Sequence, residues 1–157
     1  MNARLQIMVD SREIEAADAR DGEIIARWRK AVATHRDAAK DLGPDSRLIL
    51  YYQAGLQAAT ALVRSAGFRV LGADHHRHTF EALRALDLGE LSTIARVMNA
   101  HRRSRHQAIY DWDAEVPDDA TPSADLEALA HGVSRMLTLG RDWLASTRPT
   151  MADDLEG

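Results

Sequence analysis

Apolar positions recur at three- and four-residue spacing along nearly the whole chain, the period of a helix face. No run of useful length alternates with the period of two that a half-buried strand requires. The pattern predicts an all-α chain with five amphipathic helices. The first opens near Asp21, read as its cap, and carries Ile25, Trp28, Val32, His35, Ala39 and Leu42 inward up to the breaker Gly43-Pro44. The second starts near Asp45 or Ser46, presents Leu48, Tyr52, Leu56, Ala59, Val63 and Ala66, and ends at Gly67, which suits a left-handed cap. Its alanines and Gly55 favour close helix approach.

Asp74 caps a third, shorter helix with Phe80, Leu83 and Leu86 inward, and Gly89 separates it from a fourth, from about Leu91 to about Tyr110. The apolar face of this fourth helix begins Leu91, Ile94, Ala95, Met98. Pro117, Pro122 and clustered carboxylates make DWDAEVPDDATPSAD an exposed connection. Thr121 or Ser123 then caps a fifth helix, with Leu126, Leu129, Ala130, Val133, Leu137, Gly140 and Leu144 inward, stopped by Arg148-Pro149. An antiparallel bundle of four to five helices over residues 20–147 is the expected architecture. Residues 1–19 form an N-terminal segment in which SREIEAADAR is a short helix or an early turn of the next, and residues 148–157 a flexible tail.

Composition narrows the function classes. With 157 residues, 45% of them hydrophobic, one core is within reach. Lys and Arg number 20 against 24 Asp and Glu, a net charge of −4 that excludes a globally basic nucleic-acid binder and confines any polyanion site to a local patch. The absence of cysteine excludes thiolate chemistry and disulfides. No window approaches the roughly 18 apolar residues of a membrane span, so a soluble, cytoplasmic chain without membrane contact is expected.

One such patch is HRRSRH, residues 101–106, which turns acidic just after Tyr110. At about 100° per residue from Met98, Arg105 falls almost on the core line, flanked by His101 and Arg102, while Asn99, Arg103, His106 and Tyr110 share a second line. Cations late in a helix complement its dipole, which accounts for Arg102 and Arg103 as well as a functional role would. A guanidinium on a core-facing line is different: it must be paired, line a cavity or meet another subunit, because burying it alone is very costly.

The order of elements, RLILYYQAGLQAATALVRSAGFRV, then HHRHTFEALRAL, then a helix ending RRSRHQAIYD, resembles the HEPN superfamily of small helical bundles over about residues 20 to 146. The resemblance implies a homodimer that brings together two copies of a motif of arginine, a polar residue, spacers and histidine. In many members that motif is a metal-independent ribonuclease. Some members are toxins paired with a nucleotidyltransferase antitoxin that modifies a tyrosine beyond the motif, and others are non-catalytic binding modules. Arg105-His106 takes the arginine-polar position, with Tyr110 where histidine stands in the family. In a second register Arg103 is the motif arginine, Ala108 holds the histidine position and Tyr110 that of the modified tyrosine. A literal arginine, four spacers, histidine match runs from Arg96 to His101, without the polar residue after arginine.

Metal-free RNA cleavage needs a base for the 2′-hydroxyl and a cation for the charged phosphorane. Arginine fills the second role. Tyrosine, with a reference pKa of about 10, is a poor base, whereas His101 or His106 has suitable chemistry. The expected site therefore comprises Arg105, His106, Tyr110 and His101 as catalytic or modification positions. Arg102, Arg103, His76 and His78 are the expected phosphate contacts. RNA or a nucleotide is the expected ligand, and a second copy of the chain or a nucleotidyltransferase the expected partner. The alternative is a non-catalytic protein interaction module, its arginines paired with Asp111, Asp113 or a partner's carboxylates.

DHHRHTFE also sets His75, His78 and Glu81 one turn apart, spread over roughly 120° of a helix. A metal would need them to converge. A solvated or capping cluster is the favoured reading, a phosphate-lined groove beside the fourth helix a further one, and no metal or cofactor is expected. Trp28, Trp143 and Tyr52 read as core, His35 as a satisfied core histidine, and Trp112 as a stacking or contact residue.

Overall fold

The long helix rich in alanine forms the spine of the molecule because small side chains let neighbours approach it from several sides. In the computed structural model, which describes the backbone of residues 1–110 and 123–156 and the side chains of 1–102 and 123–156, this helix is Pro44–Ser65. Numbering in chain order gives α1 (Ala3–Asp10), β1 (Ile14–Ala16), α2 (Asp21–Ala38), α3 (Pro44–Ser65), β2 (Phe68–Val70), α4 (His75–Ala85), α5 (Glu90–Tyr110) and α6 (Ser123–Thr147), with a closing 3-10 helix over Pro149–Asp154. α3 packs on α2, α4, α5 and α6, and α5 also packs on α4 and α6. The chain is a predominantly helical bundle around one core, in which Trp28, Tyr52, Phe80, Leu62, Met98, Met136 and Leu144 are fully buried.

Close approach is visible at two glycines. At Gly55, a Cβ would meet Met98 of α5; at Gly140, it would lie 2.6 Å from Cη2 of Trp28 and 3.3 Å from Cδ1 of Leu62. The second contact explains how the Trp28 indole fits between α2, α3 and α6.

The α2 stripe lies one residue from the expected one. Ile24, Trp28, Ala31 and Ala38 are buried, Ile25, Val32 and His35 are half-buried, and Ala39 and Leu42 are exposed. Asp21 does not cap α2. Arg20 holds the N-cap position, and the Asp21 carboxylate instead accepts from Arg148 Nη1 at 2.9 Å and Thr150 Oγ1 at 2.8 Å. α6 buries Met136, with Leu137 only half-buried. Thr121 and Trp112 lie outside the described residues.

Both ends of the chain differ from expectation. SREIEAADAR contains neither a short helix nor the first turn of α2. Ile14–Ala16 pairs antiparallel with Phe68–Val70, Ile14 opposite Val70, and both of those side chains are buried. Helix comes earlier, where Asn2 Oδ1 accepts from Leu5 N at 3.0 Å and its Nδ2 donates to the Ala85 carbonyl, tying the start of α1 to the end of α4. Residues 148–157 are not a loose tail over their described part. Met151 and Leu155 are buried, and Arg148 donates to the carbonyls of Ala19 and Ser65. Residues flanking 20–147 thus belong to the same core.

A buried arginine joins the ribbon to the bundle. Arg64 sits where α3 ends, and its guanidinium donates to Glu23 and to the carbonyls of Ala17, Asp18 and Phe68. Among the described residues no helix is long and apolar enough to cross a membrane.

Candidate functional site

The histidine-rich turn that opens α4 is positioned by backbone on both sides. Arg12, with φ 57, turns the chain from α1 into Glu13, and a left-handed conformation at a residue with a Cβ is uncommon. The Glu13 carbonyl then accepts from Leu71 N at 2.8 Å, extending the ribbon and bringing residue 13 over the start of α4. Gly72, with φ 81, makes the following bend, and Asp74 occupies the N-cap position.

Asp74 does not use its side chain as a cap. Its carboxylate holds Arg77 Nε, while Arg102 Nη1 of α5 stands 3.8 Å away. The hydrogen bond from Arg77 keeps this carboxyl below the ordinary aspartate range, with burial opposing and the charges of Arg77, Arg102 and His78 assisting. Arg77 reaches further: Nη1 lies 3.4 Å from Glu81 Oε1, and Nη2 lies 3.1 Å from His78 Nε2. His78 is buried, with Nδ1 3.4 Å from the Leu71 carbonyl and Nε2 3.4 Å from Glu13 Oε1.

The histidines of this turn therefore diverge. His75 lines a cavity of about 310 Å³ toward Thr60, Val63, Arg64 and Arg69. His76 faces the buried Tyr52, Nδ1 to Oη 3.4 Å, and Tyr52 in turn meets Phe80 edge-on. His78 turns to β1. Its expected role as a phosphate contact does not fit this setting, since a carbonyl and a carboxylate face its two nitrogens and both repel an anion. The set His75, His78, Glu81 does not converge either; Glu13 takes the place of His75.

On α5, Met98 is fully buried, His101 is half-buried and Arg102 is exposed at the edge of the α4 turn. The Asn99 side-chain oxygen is buried and accepts no hydrogen bond among the described residues. The side chains of Arg103, Arg105, His106 and Tyr110 lie outside the described residues, as do Asp111 and Asp113. Toward the other end of α5 lies an open groove of about 630 Å³, lined by Arg4, Arg84 and Arg96 with Asn2, Ser92 and Asp87. Neither an ion pair nor a side-chain hydrogen bond ties these three arginines to another of the described residues, although the chain as a whole is acidic. Arg4 and Arg84 were not singled out by periodicity, because exposed arginines on helix faces look alike in sequence. Only the fold brings α1, α4 and α5 together.

His35 has a hydrogen-bond partner, as expected, but is half-buried rather than in the core. Nε2 lies 3.0 Å from Ser134 Oγ, the ring packs edge-on against Tyr51, and burial pushes its pKa below the ordinary histidine value. Trp28 and Tyr52 are buried and Trp143 is half-buried, so none of them offers a fully open face for stacking. Searches with this chain against protein-family models, curated proteins and solved structures return no match.

Proposed function

We propose that this chain is a HEPN-like helical protein that binds RNA or nucleotide phosphates along α5, at a basic cleft completed by a second copy, with weak or absent ribonuclease activity. The observation that carries the reading is a set of guanidiniums in an acidic protein that pair with no carboxylate among the described residues: Arg4, Arg84 and Arg96 converge on one groove, while Arg102, further along the same helix, is exposed beside Asp74. Opposite charges nearby would neutralise such groups, so a groove with three arginines and one aspartate holds a local positive potential despite the net charge of −4. Phosphate esters are what arginine forks recognise best. In this reading Arg105 is the main phosphate contact of the dimer cleft, Arg102 and Arg103 support it, and His101, His106 and Tyr110 supply proton transfer or accept modification.

The test is fluorescence anisotropy with labelled single-stranded RNA at low and moderate salt. Binding should weaken steeply with salt, as counterion release requires. Arg105→Ala should weaken it at least tenfold and Arg96→Ala by a smaller factor. Any cleavage should survive chelators. An unchanged Arg105→Ala variant removes that assignment. Absence of RNA retention at low salt, combined with salt-sensitive self-association, favours the interaction-module reading instead.

A further inference from the structure

The geometry points to a divalent-cation site formed by Glu13, His78 and Glu81, which we propose takes Zn²⁺ or a similar first-row ion at the junction of β1 and α4. One imidazole nitrogen and one oxygen from each carboxylate lie within 4.8 Å of one another. His78 Nε2 and Glu13 Oε1 are 3.4 Å apart. Two ligands each about 2.0–2.1 Å from a tetrahedral Zn²⁺ stand about 3.3 to 3.4 Å from each other. That pair already has the spacing of adjacent ligands. Glu81 closes the set from the next turn of α4.

The surroundings of His78 supply a second, independent indication. Metal-bound histidines usually donate their other ring N–H to a carbonyl or carboxylate, which fixes the tautomer and leaves the ligating nitrogen bare. Here Nδ1 faces the Leu71 carbonyl at 3.4 Å, the arrangement in which Nδ1–H donates and Nε2 is the ligating nitrogen, and Nε2 faces Arg77 Nη2 at 3.1 Å and Glu13 Oε1 at 3.4 Å. The residue is only 8% exposed, which holds the ring in place. Nε2 is thus the ring nitrogen that faces the carboxylates.

Arg77 is the rival occupant. Its guanidinium touches Glu81 and His78 and supplies a single positive charge where the ion would supply two. The neighbouring charged groups are Glu13, Glu81 and Asp74 against Arg77 and Arg102, three negative and two positive, so the cluster keeps a residual negative charge. An ion would displace Arg77 from Glu81 and His78 while Asp74 retains the arginine. Two carboxylates, one imidazole and an open position fit Zn²⁺ better than Mg²⁺, which prefers a full octahedral shell of oxygens. A bound ion would link residues 13 and 78 across the long excursion through α2 and α3. The site is separate from the phosphate-binding reading and does not depend on it.

The experiment is calorimetric titration of the full chain with Zn²⁺, with Mg²⁺ as contrast and thermal melts alongside. One Zn²⁺ per chain should bind and raise the Tm, with no comparable effect of Mg²⁺. Glu13→Gln and Glu81→Gln, which keep size and remove charge, should each weaken Zn²⁺ binding at least tenfold. Arg77→Gln should tighten it at least threefold by removing the competing cation. That gain is not expected of a purely structural ion-pair network. No Zn²⁺ binding by either the native chain or Arg77→Gln, or binding indifferent to both glutamate substitutions, would overturn the proposal.

Discussion

Replacing Arg64 by alanine is the sharpest test of how the ribbon is held to the bundle. The guanidinium donates to Glu23 Oε1 at 3.0 Å and Oε2 at 3.4 Å, and to the carbonyls of Ala17, Asp18 and Phe68 at 2.9 to 3.1 Å. Alanine strands three carbonyls at once, two from the stretch between β1 and α2 and one from β2. A hydrogen bond to a charged donor is worth about 1.5–3 kcal/mol net, but the losses do not add, because water enters the vacated space. Glu23 is 38% exposed and can turn to water, so the stranded carbonyls dominate: three at about 1–3 kcal/mol each, with partial relief by water, give an expected loss of about 3–5 kcal/mol. Against a total stability of about 5–15 kcal/mol that loss amounts to between about a fifth and the whole of it. With a urea slope of about 2 kcal/mol/M, the midpoint should fall by about 1.5–2.5 M.

Arg64→Lys should fall between the native chain and alanine, since one ammonium cannot reach five acceptors in a planar fork. The acid side gives an independent signature. The hydrogen bond from Arg64 holds the Glu23 carboxyl below its ordinary range, with burial opposing. A carboxyl whose folded pKa is depressed contributes stability above its unfolded pKa, and that contribution is lost as pH falls through the lower, folded value. Native stability should therefore decline below the ordinary glutamate titration, and Arg64→Ala should show a shallower decline there. A midpoint shift under 0.5 M, or an unchanged acid limb, would refute this account of Arg64.

Two further outcomes rest on packing. Gly140→Ala places a methyl 2.6 Å from the rigid Trp28 ring, an overpacking of about 1–3 kcal/mol that the roughly 1 kcal/mol gain in helix propensity only partly offsets, whereas Gly132→Ala, whose nearest neighbour is 3.8 Å away, should stabilise by about 0.5–1 kcal/mol. Urea titration of the two variants should move the midpoint in opposite directions. Truncation after Thr147 removes the buried Met151 and Leu155 and the Arg148 hydrogen bonds, so at about 1.5–3 kcal/mol per apolar side chain it should lower the Tm by well over 5 °C. A truncated chain that melts with the full-length one would show these contacts to be dispensable.

The five longer helices were legible because each carries its own evidence: a period, a breaker and, at Gly67, a residue that does adopt φ 93. What escaped was whatever depended on a partner far along the chain. Three-residue strands show too little alternation to register, and Ile14 reads as the start of a helix until Val70 is seen opposite it. The α2 stripe slipped by one because Ile24 and Ile25 are chemically equal in sequence. The space that Gly140 leaves for Trp28 fits the observed register, in which Ile24 is fully buried.

The same division runs through the site. Glu13 could not be found by stepping along α4, since it arrives from a turn 65 positions earlier, while His75, the apparent ligand, is carried to the opposite cavity. Arginines are the hardest case of all. Arg64, among apolar neighbours in α3, gave no warning of being a fully committed structural cation, and Arg4, Arg84 and Arg96 none of lacking a charged or hydrogen-bonding partner among the described residues. A charged residue's role is set by whether carboxylates and carbonyls converge on it. That is a property of the fold, so the distinction between an arginine that holds the bundle and one that can hold a phosphate must be drawn from partners rather than from position on a helix.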